Sequence, residues 1–313
     1  MMIRRFAGTA PGCLLALGAF AFAGSSGYAE SAAPAGSAVA HDPRLAKALP
    51  AMESTIRKSG AEVAVAFRTL DGKSEWLRRA DESFHAASTM KVAVLIELYR
   101  QARDGKVRLD EPLTIRNEFH SLVDGSPFAL DPQDDDETEL YRAVGATRTL
   151  AQLSELMITV SSNLATNLLM DKLGVENIRA AVHGLGADGM NVRRDLEDSK
   201  AFEQGLNNTT TATALLRLME AIANGKAVDP ESSRQMLAIL ERQTVNDRIP
   251  VGLPPGMRVA HKTGEITGIR HDAGIAFAAR PFVLVVLTRG ASSPEAGSAL
   301  IAEITRQLYH ATQ

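Results

Sequence analysis

The chain has 313 residues, 34 basic and 37 acidic side chains for a formal net charge of −3, and 45% hydrophobic residues. A chain of this length and apolar content can bury a core without disulfide staples, and its lone cysteine, Cys13, excludes a disulfide framework. The basic residues are scattered and nearly balanced by acidic ones, which argues against nucleic acid or an anionic membrane as a partner.

In chain order, Arg4 and Arg5 precede an apolar run over residues 14–24 that is too short to span a bilayer stably. With the small residues of Gly27-Tyr28-Ala29, this predicts a secretory signal peptide over residues 1–29, cleaved before Glu30; Ala21-Phe22-Ala23 is a second candidate. The residues around Arg4-Arg5 fit a twin-arginine signal poorly. Cys13 precedes most of the apolar run, is badly placed for lipid attachment and leaves with the signal peptide. The expectation is a secreted or periplasmic protein without a stable membrane anchor. Residues 30–43, rich in Ala, Ser, Gly and Pro, read as a flexible leader, and residues 44–313 as the folded domain.

Residues 44–59 predict a helix with an irregularity near Pro50. Residues 62–69 alternate Val63, Val65 and Phe67 as a strand does; Asp71-Gly72 signals a hairpin turn, and residues 75–79 return. Ser88-Thr89-Met90-Lys91 opens an apolar helical run that Gly105 stops, so Ser88 and Lys91, three apart, share a helix face. Residues 131–139, with Asp134-Asp135-Asp136, lack the glycine and alternation of a calcium loop and read as a solvated surface loop. Residues 150–160 and 164–173 have helical spacing, leaving Ser161-Ser162-Asn163 as a short loop or a helix start.

After this helical middle, β-branched runs ending in residues 274–279 and 282–288 predict two more strands. Lys262-Thr263-Gly264 lies on or at the end of a strand, and residues 294–310 form a terminal helix. His261 and His271 straddle Lys262-Thr263-Gly264 without metal-ligand spacing, so no metal or other cofactor is expected. Strands from both ends of the chain are expected to share one sheet, with the middle helices as a second lobe and the site at the seam.

The strings Ser88-Thr89-Met90-Lys91, Ser161-Ser162-Asn163 and Lys262-Thr263-Gly264 read S-x-x-K, S-x-N and K-T-G in that order. The first two patterns each arise about once by chance in a chain this long, so order and context carry the weight. Each also has a plain structural use: Ser88 or Ser161 as a helix cap, Lys91 as an exposed helix lysine, Lys262-Thr263-Gly264 as a turn. Together they are the parts of an acyl-transferring serine enzyme with lysine as its basic group.

On these strings, and on Phe84-His85-Ala86-Ala87, Asn163-Leu164-Ala165-Thr166-Asn167 and Asn208-Thr209-Thr210-Thr211, the chain resembles the class A serine β-lactamases. More broadly it resembles the penicillin-recognising DD-peptidase superfamily, from about Arg44 to the C-terminus. The resemblance implies an α/β (α+β) fold in which an antiparallel sheet is flanked by helices and joined to an all-helical lobe. It implies a hydrolase that opens β-lactam rings through an acyl-enzyme on Ser88. Either Lys91 or a glutamate-bound water would serve as the acylation base, and Ser161 as proton relay to the leaving nitrogen. Asn163 would bind the substrate amide. Lys262, Thr263 and Gly264 would bind the substrate carboxylate, with Arg270 either adding charge there or serving as a surface strand arginine. The N–H groups of Ser88 and Glu265 would form the oxyanion hole. The implied partner is a small-molecule β-lactam or cell-wall peptide, and the expected state is a monomer.

Two departures stand out. Ser162 occupies a position that is usually aspartate in the family, and no E-x-x-L-N stretch begins within the corresponding segment, residues 192–198. Glu197 is therefore the first candidate for the deacylation base and Asp195 the second. The departures leave two alternatives open: a DD-peptidase or esterase of the same superfamily, and a penicillin-binding sensor that acylates and stops.

Overall fold

The computed structural model describes residues 42–313, so the expected signal peptide, Cys13 and most of the leader lie outside the described residues. Pro43, assigned above to the leader, is instead the first residue of helix α1 (Pro43–Ser59). The Asp42 side chain accepts from the Arg44 N–H and proline occupies the first turn, where its missing N–H costs nothing. The helix passes through Pro50 without a break and stops at Gly60, whose φ of 70° favours glycine.

Five strands form one antiparallel sheet. They are β1 (Glu62–Thr69), β2 (Glu75–Arg78), β3 (Val259–Ile266), β4 (Ile269–Ala276) and β5 (Phe282–Arg289), in the order β2-β1-β5-β4-β3. The late part of the chain thus contributes three strands rather than the expected two. The extra one is masked in sequence because β3 and β4 carry His261, Lys262, Thr263, Glu265, Arg270, His271 and Asp272 where a core strand would carry aliphatics. Strands from the two ends meet as expected, Glu62 lying opposite Arg289 and Thr69 opposite Phe282.

Both faces of the sheet are covered. On β1, Val63, Val65 and Phe67 face one apolar cluster and Ala64 and Ala66 the other, and β5 divides its residues in the same alternating way. The first cluster is closed by α1 and by α8 (Pro294–Thr312), which pack on each other. The second is closed by α2 (Lys91–Arg103), α3 (Leu150–Thr159), α4 (Asn163–Leu173), α5 (Val175–Gly184), α6 (Ala212–Ala223) and α7 (Pro230–Leu240). Helix α2 runs through the middle of these helices, and Val92, Ala93, Val94, Leu95, Ile96 and Leu98 are all buried. At about 1.5–3 kcal/mol for each large aliphatic, that burial fixes the rod on which Lys91 sits. No helix among the described residues is long and apolar enough to cross a membrane.

Candidate active site

Ser88 lies in a 3-10 turn, Ala87–Met90, that runs directly into α2, and its side chain caps neither element. Lys91, the first residue of α2, is wholly buried. Its Nζ donates to the Ser161 carbonyl (2.6 Å), Ser161 Oγ (3.2 Å) and Asn163 Oδ1 (2.9 Å), three acceptors for three ammonium hydrogens. Burial brings the Lys91 pKa down to about 7, although Asp135, Asp136 and Glu197 pull the other way.

Lys262 approaches Ser161 from the sheet side. Its Nζ donates to Ser161 Oγ (3.0 Å) and to the Thr263 carbonyl (3.1 Å). Complete burial, then the neighbouring Lys91 charge, holds its pKa well below the usual lysine range. Two ammonium groups thus converge on one hydroxyl, which no surface role for Lys91 or turn role for Lys262 explains. Strand β3 is the sheet's edge and packs against the Ser88 turn. Gly264 permits that approach: a Cβ there would lie 3.0 Å from Thr89 Cγ2, 3.2 Å from Thr89 N and 3.3 Å from the Ala86 carbonyl.

Glu265 and Arg270 line the opposite wall of the cleft. The Glu265 carboxylate is shared by Arg270 and the wholly buried Arg248, whose Nη1 also donates to the His271 carbonyl at 2.8 Å. Arg270 is therefore neither a free charge nor a plain surface arginine; it is an ion-paired part of the wall.

The loop carrying Glu197 is held from two sides. Asn167 of α4 accepts from the Leu196 N–H (2.8 Å) and donates to its carbonyl (3.0 Å). Asn208 accepts from the N–H groups of Arg193 (2.7 Å) and Arg194 (3.1 Å) and donates to the Arg194 carbonyl (2.9 Å). So held, Glu197 faces the cleft, accepting from the Asp131 N–H (3.0 Å) and Asn163 Nδ2 (3.1 Å). Burial raises its pKa; those two donors oppose the rise, and Asp134 and Asp135 add to it. Asp195 lies instead in a separate small hollow with His120, Met170 and Asp171, where burial and the Asp171 charge push its pKa up to about 7. The structure brings Glu197, not Asp195, to the Ser88 cleft.

The cleft has a volume of about 1000 Å³ and is lined by Ser88, Ser161, Asn163 and Glu197 on one side and residues 265–270 on the other. Of the four non-glycine residues with positive φ among the described residues, three sit here: Ala87 (45°), Ser161 (61°) and Glu197 (64°). Backbone strain of that kind persists where the surroundings over-determine a conformation. No group of three or more His, Cys, Asp or Glu side chains suited to a metal occurs among the described residues. His261 instead meets Asp272 at 3.0 Å, and His271 meets the His85 carbonyl at 2.9 Å.

The acidic segment 131–139 is largely exposed, as expected of a solvated loop, but Asp135 departs from that expectation and is buried. Its Oδ2 accepts from the N–H groups of Asn163 (2.7 Å) and Leu164 (3.0 Å), from Tyr141 Oη (2.9 Å) and from Ser162 Oγ (3.2 Å). Asp135, Asn167 and Arg248 are site residues that sequence reasoning missed. Only Asn167 left a trace, four positions after Asn163 and so on the same face of α4.

A sequence model described as the β-lactamase enzyme family matches residues 44–312. β-Lactamase AST-1 of Nocardia asteroides is 32% identical over 283 residues, spanning 88% of this chain and 84% of that protein. A β-lactamase structure from Sphaerobacter thermophilus superposes with a TM-score of 0.71 at 29% identity, covering 86% of this chain and 95% of that one. An ancestral class A β-lactamase superposes with a TM-score of 0.73 at 27% identity, covering 84% and 99%.

Proposed function

The chain belongs to the β-lactamase enzyme family, and we propose that it is a secreted class A serine β-lactamase that hydrolyses the lactam amide through an ester on Ser88. The observation that carries this reading is the convergence of Lys91 and Lys262 on Ser161 Oγ in the cleft that Ser88 also lines.

In the first half-reaction, Ser88 Oγ attacks the lactam carbonyl carbon while neutral Lys91 takes the hydroxyl proton. Burial lowers the Lys91 pKa to about 7, which brings the neutral amine within reach at physiological pH. As the C–N bond breaks, a proton passes through Ser161 Oγ, the shared partner of both lysines, to the leaving nitrogen. Backbone N–H groups of Ser88 and Glu265 hold the developing oxyanion, each contributing about 2.7–4 kcal/mol by analogy with other oxyanion holes. Lys262 and Thr263 bind the substrate carboxylate. In the second half-reaction, ionised Glu197 takes a proton from water, the hydroxide attacks the ester carbon, and Ser88 Oγ leaves with the proton that Glu197 gives back. Secretion is part of the proposal and rests on the pattern of residues 1–29.

The test is time-resolved intact mass after mixing the protein with benzylpenicillin, with opened lactam followed in parallel. A fleeting adduct with accumulating product is expected, and Ser88→Ala should abolish both. Undiminished turnover by Ser88→Ala would overturn the mechanism. A persistent Ser88 adduct without product would move the chain to a DD-peptidase or sensor role.

A further inference from the structure

We propose that Asp135 is a positioning residue for acylation: from a separate loop it clamps the N-terminus of α4 and so sets the corner formed by Ser161, Ser162 and Asn163. The inference rests on the reading of this cleft as an acylating site.

A helix leaves its first N–H groups without internal partners, and they are normally satisfied from within the same segment. In α4 the work is divided. Ser162 Oγ, the local cap, takes only the Ala165 N–H (3.2 Å). The N–H groups of Asn163 and Leu164 go to Asp135 Oδ2, 28 and 29 residues upstream, at 2.7 and 3.0 Å. Ser162 Oγ then donates its own proton to that same oxygen, at 3.2 Å. Tyr141 donates to it at 2.9 Å from the far side, and the Glu137 N–H fixes the other carboxylate oxygen at 3.1 Å. The carboxylate is thus held by its own loop and in turn holds α4.

What it holds is the reactive corner. Asn163, whose N–H is clamped, presents Oδ1 to Lys91 and Nδ2 to Glu197. Ser161, one residue before the clamped segment, keeps a positive φ and offers both its carbonyl and its hydroxyl to Lys91. The same loop reaches further, the Asp134 carbonyl accepting from Asn163 Nδ2 at 3.3 Å and the Asp131 N–H donating to Glu197. Loss of the clamp frees the first turn of α4 and lets the relay hydroxyl drift from both lysines. A displacement of about 1 Å in such a group costs on the order of a hundredfold in rate.

The charge has a second effect. Lys91 is surrounded by Asp135, Asp136 and Glu197, with the Lys262 ammonium on the other side of Ser161. Removing one negative charge makes the neutral amine easier to form, so the rising limb of the acylation pH profile moves to lower pH even as its plateau falls.

The experiment measures Ser88 acylation by benzylpenicillin as adduct mass against time, from pH 5 to 9, in the parent, Asp135→Ala, Ser162→Asp and the double variant. Amide hydrogen exchange at Asn163 and Leu164 is read on the free proteins. An aspartate at the cap position can bond the first-turn N–H groups directly, so it can replace the missing carboxylate. Asp135→Ala is expected to acylate about a hundredfold more slowly and to lose protection at both amides. Ser162→Asp alone, which sets two carboxylates together, is also expected to be slower than the parent. The double variant is expected to recover at least tenfold over Asp135→Ala, together with amide protection. If Asp135→Ala does not fold, Asp135→Ser, whose hydroxyl is too short to reach the Asn163 and Leu164 N–H groups, makes the same comparison. Acylation of Asp135→Ala at the parent rate, or a folded double variant that recovers neither rate nor protection, would overturn the inference. A parent that forms no adduct would overturn the proposed function instead, and the exchange data would still decide whether Asp135 clamps α4.

Discussion

Replacing Glu197 with glutamine separates the two half-reactions. Glutamine keeps the volume, and its side-chain oxygen can still accept from the Asp131 N–H or Asn163 Nδ2, so position is largely preserved and basicity is lost. A positioned general base contributes about 10²–10⁴-fold, or about 2.7–5.5 kcal/mol at 1.36 kcal/mol per tenfold. That loss is expected in deacylation alone. Acylation at neutral pH should hold or rise, because the Glu197 charge is one of those keeping Lys91 protonated. The Ser88 adduct, transient in the parent, should therefore accumulate to near stoichiometry, as read by intact mass alongside steady-state turnover. In the parent, deacylation should rise with pH through a value above the ordinary glutamate pKa of 4.5, since burial raises the group and only its ionised form accepts a proton from water. Turnover within threefold of the parent in Glu197→Gln, with no accumulated adduct, would refute the assignment.

Acylation should climb with pH through about 7 as Lys91 loses its proton; a flat rate between pH 5 and 8 in a stopped-flow adduct assay would remove Lys91 as the base. Gly264→Ala should slow acylation by about tenfold or more and lower stability by about 1–3 kcal/mol, because the new methyl meets not only Thr89 Cγ2 but also the Thr89 N and the Ala86 carbonyl, backbone atoms that cannot swing aside. An unchanged acylation rate would show that β3 moves freely against the Ser88 turn. Asp195→Asn should leave turnover intact and stabilise the protein by about 1–3 kcal/mol at pH 8. The folded-state pKa near 7 lies above the unfolded one, so ionising Asp195 costs stability as pH rises, and the gain should shrink toward pH 4. Equal melting-temperature differences at pH 5 and pH 8 would contradict this.

The three motifs were legible because each is local: one helical turn links Ser88 to Lys91, and a cap position fixes Ser161 beside Asn163. The continuous apolar runs of β1 and β5 likewise announce strands buried on both faces. What stayed hidden depends on pairings across the fold. Asp135 sits in a run whose neighbours are exposed, and no local periodicity marks which of three consecutive aspartates turns inward. Arg248 is a single arginine between Asp247 and Ile249 until β3 and β4 close over it. The choice between Asp195 and Glu197, two positions apart, is made by Asn167 and Asn208 gripping the loop, a tertiary constraint that residue type alone does not express.

The pairing of β1 with β5 has a consequence for how the protein comes into being. Until residues 282–289 have been synthesised, β1 has only the short ribbon with β2, and an isolated two-stranded ribbon is marginal in water. The middle of the sheet is therefore closed by a strand that emerges late from the ribosome, a long-range pairing of the kind that slows folding. Lys262 is held by β3, and β3 pairs only through β4 to that late strand. The nucleophile turn thus exists in the chain long before its second lysine has anywhere to stand. On the proposed mechanism the growing chain stays chemically silent, acquiring its reactivity only once the final strand has been delivered.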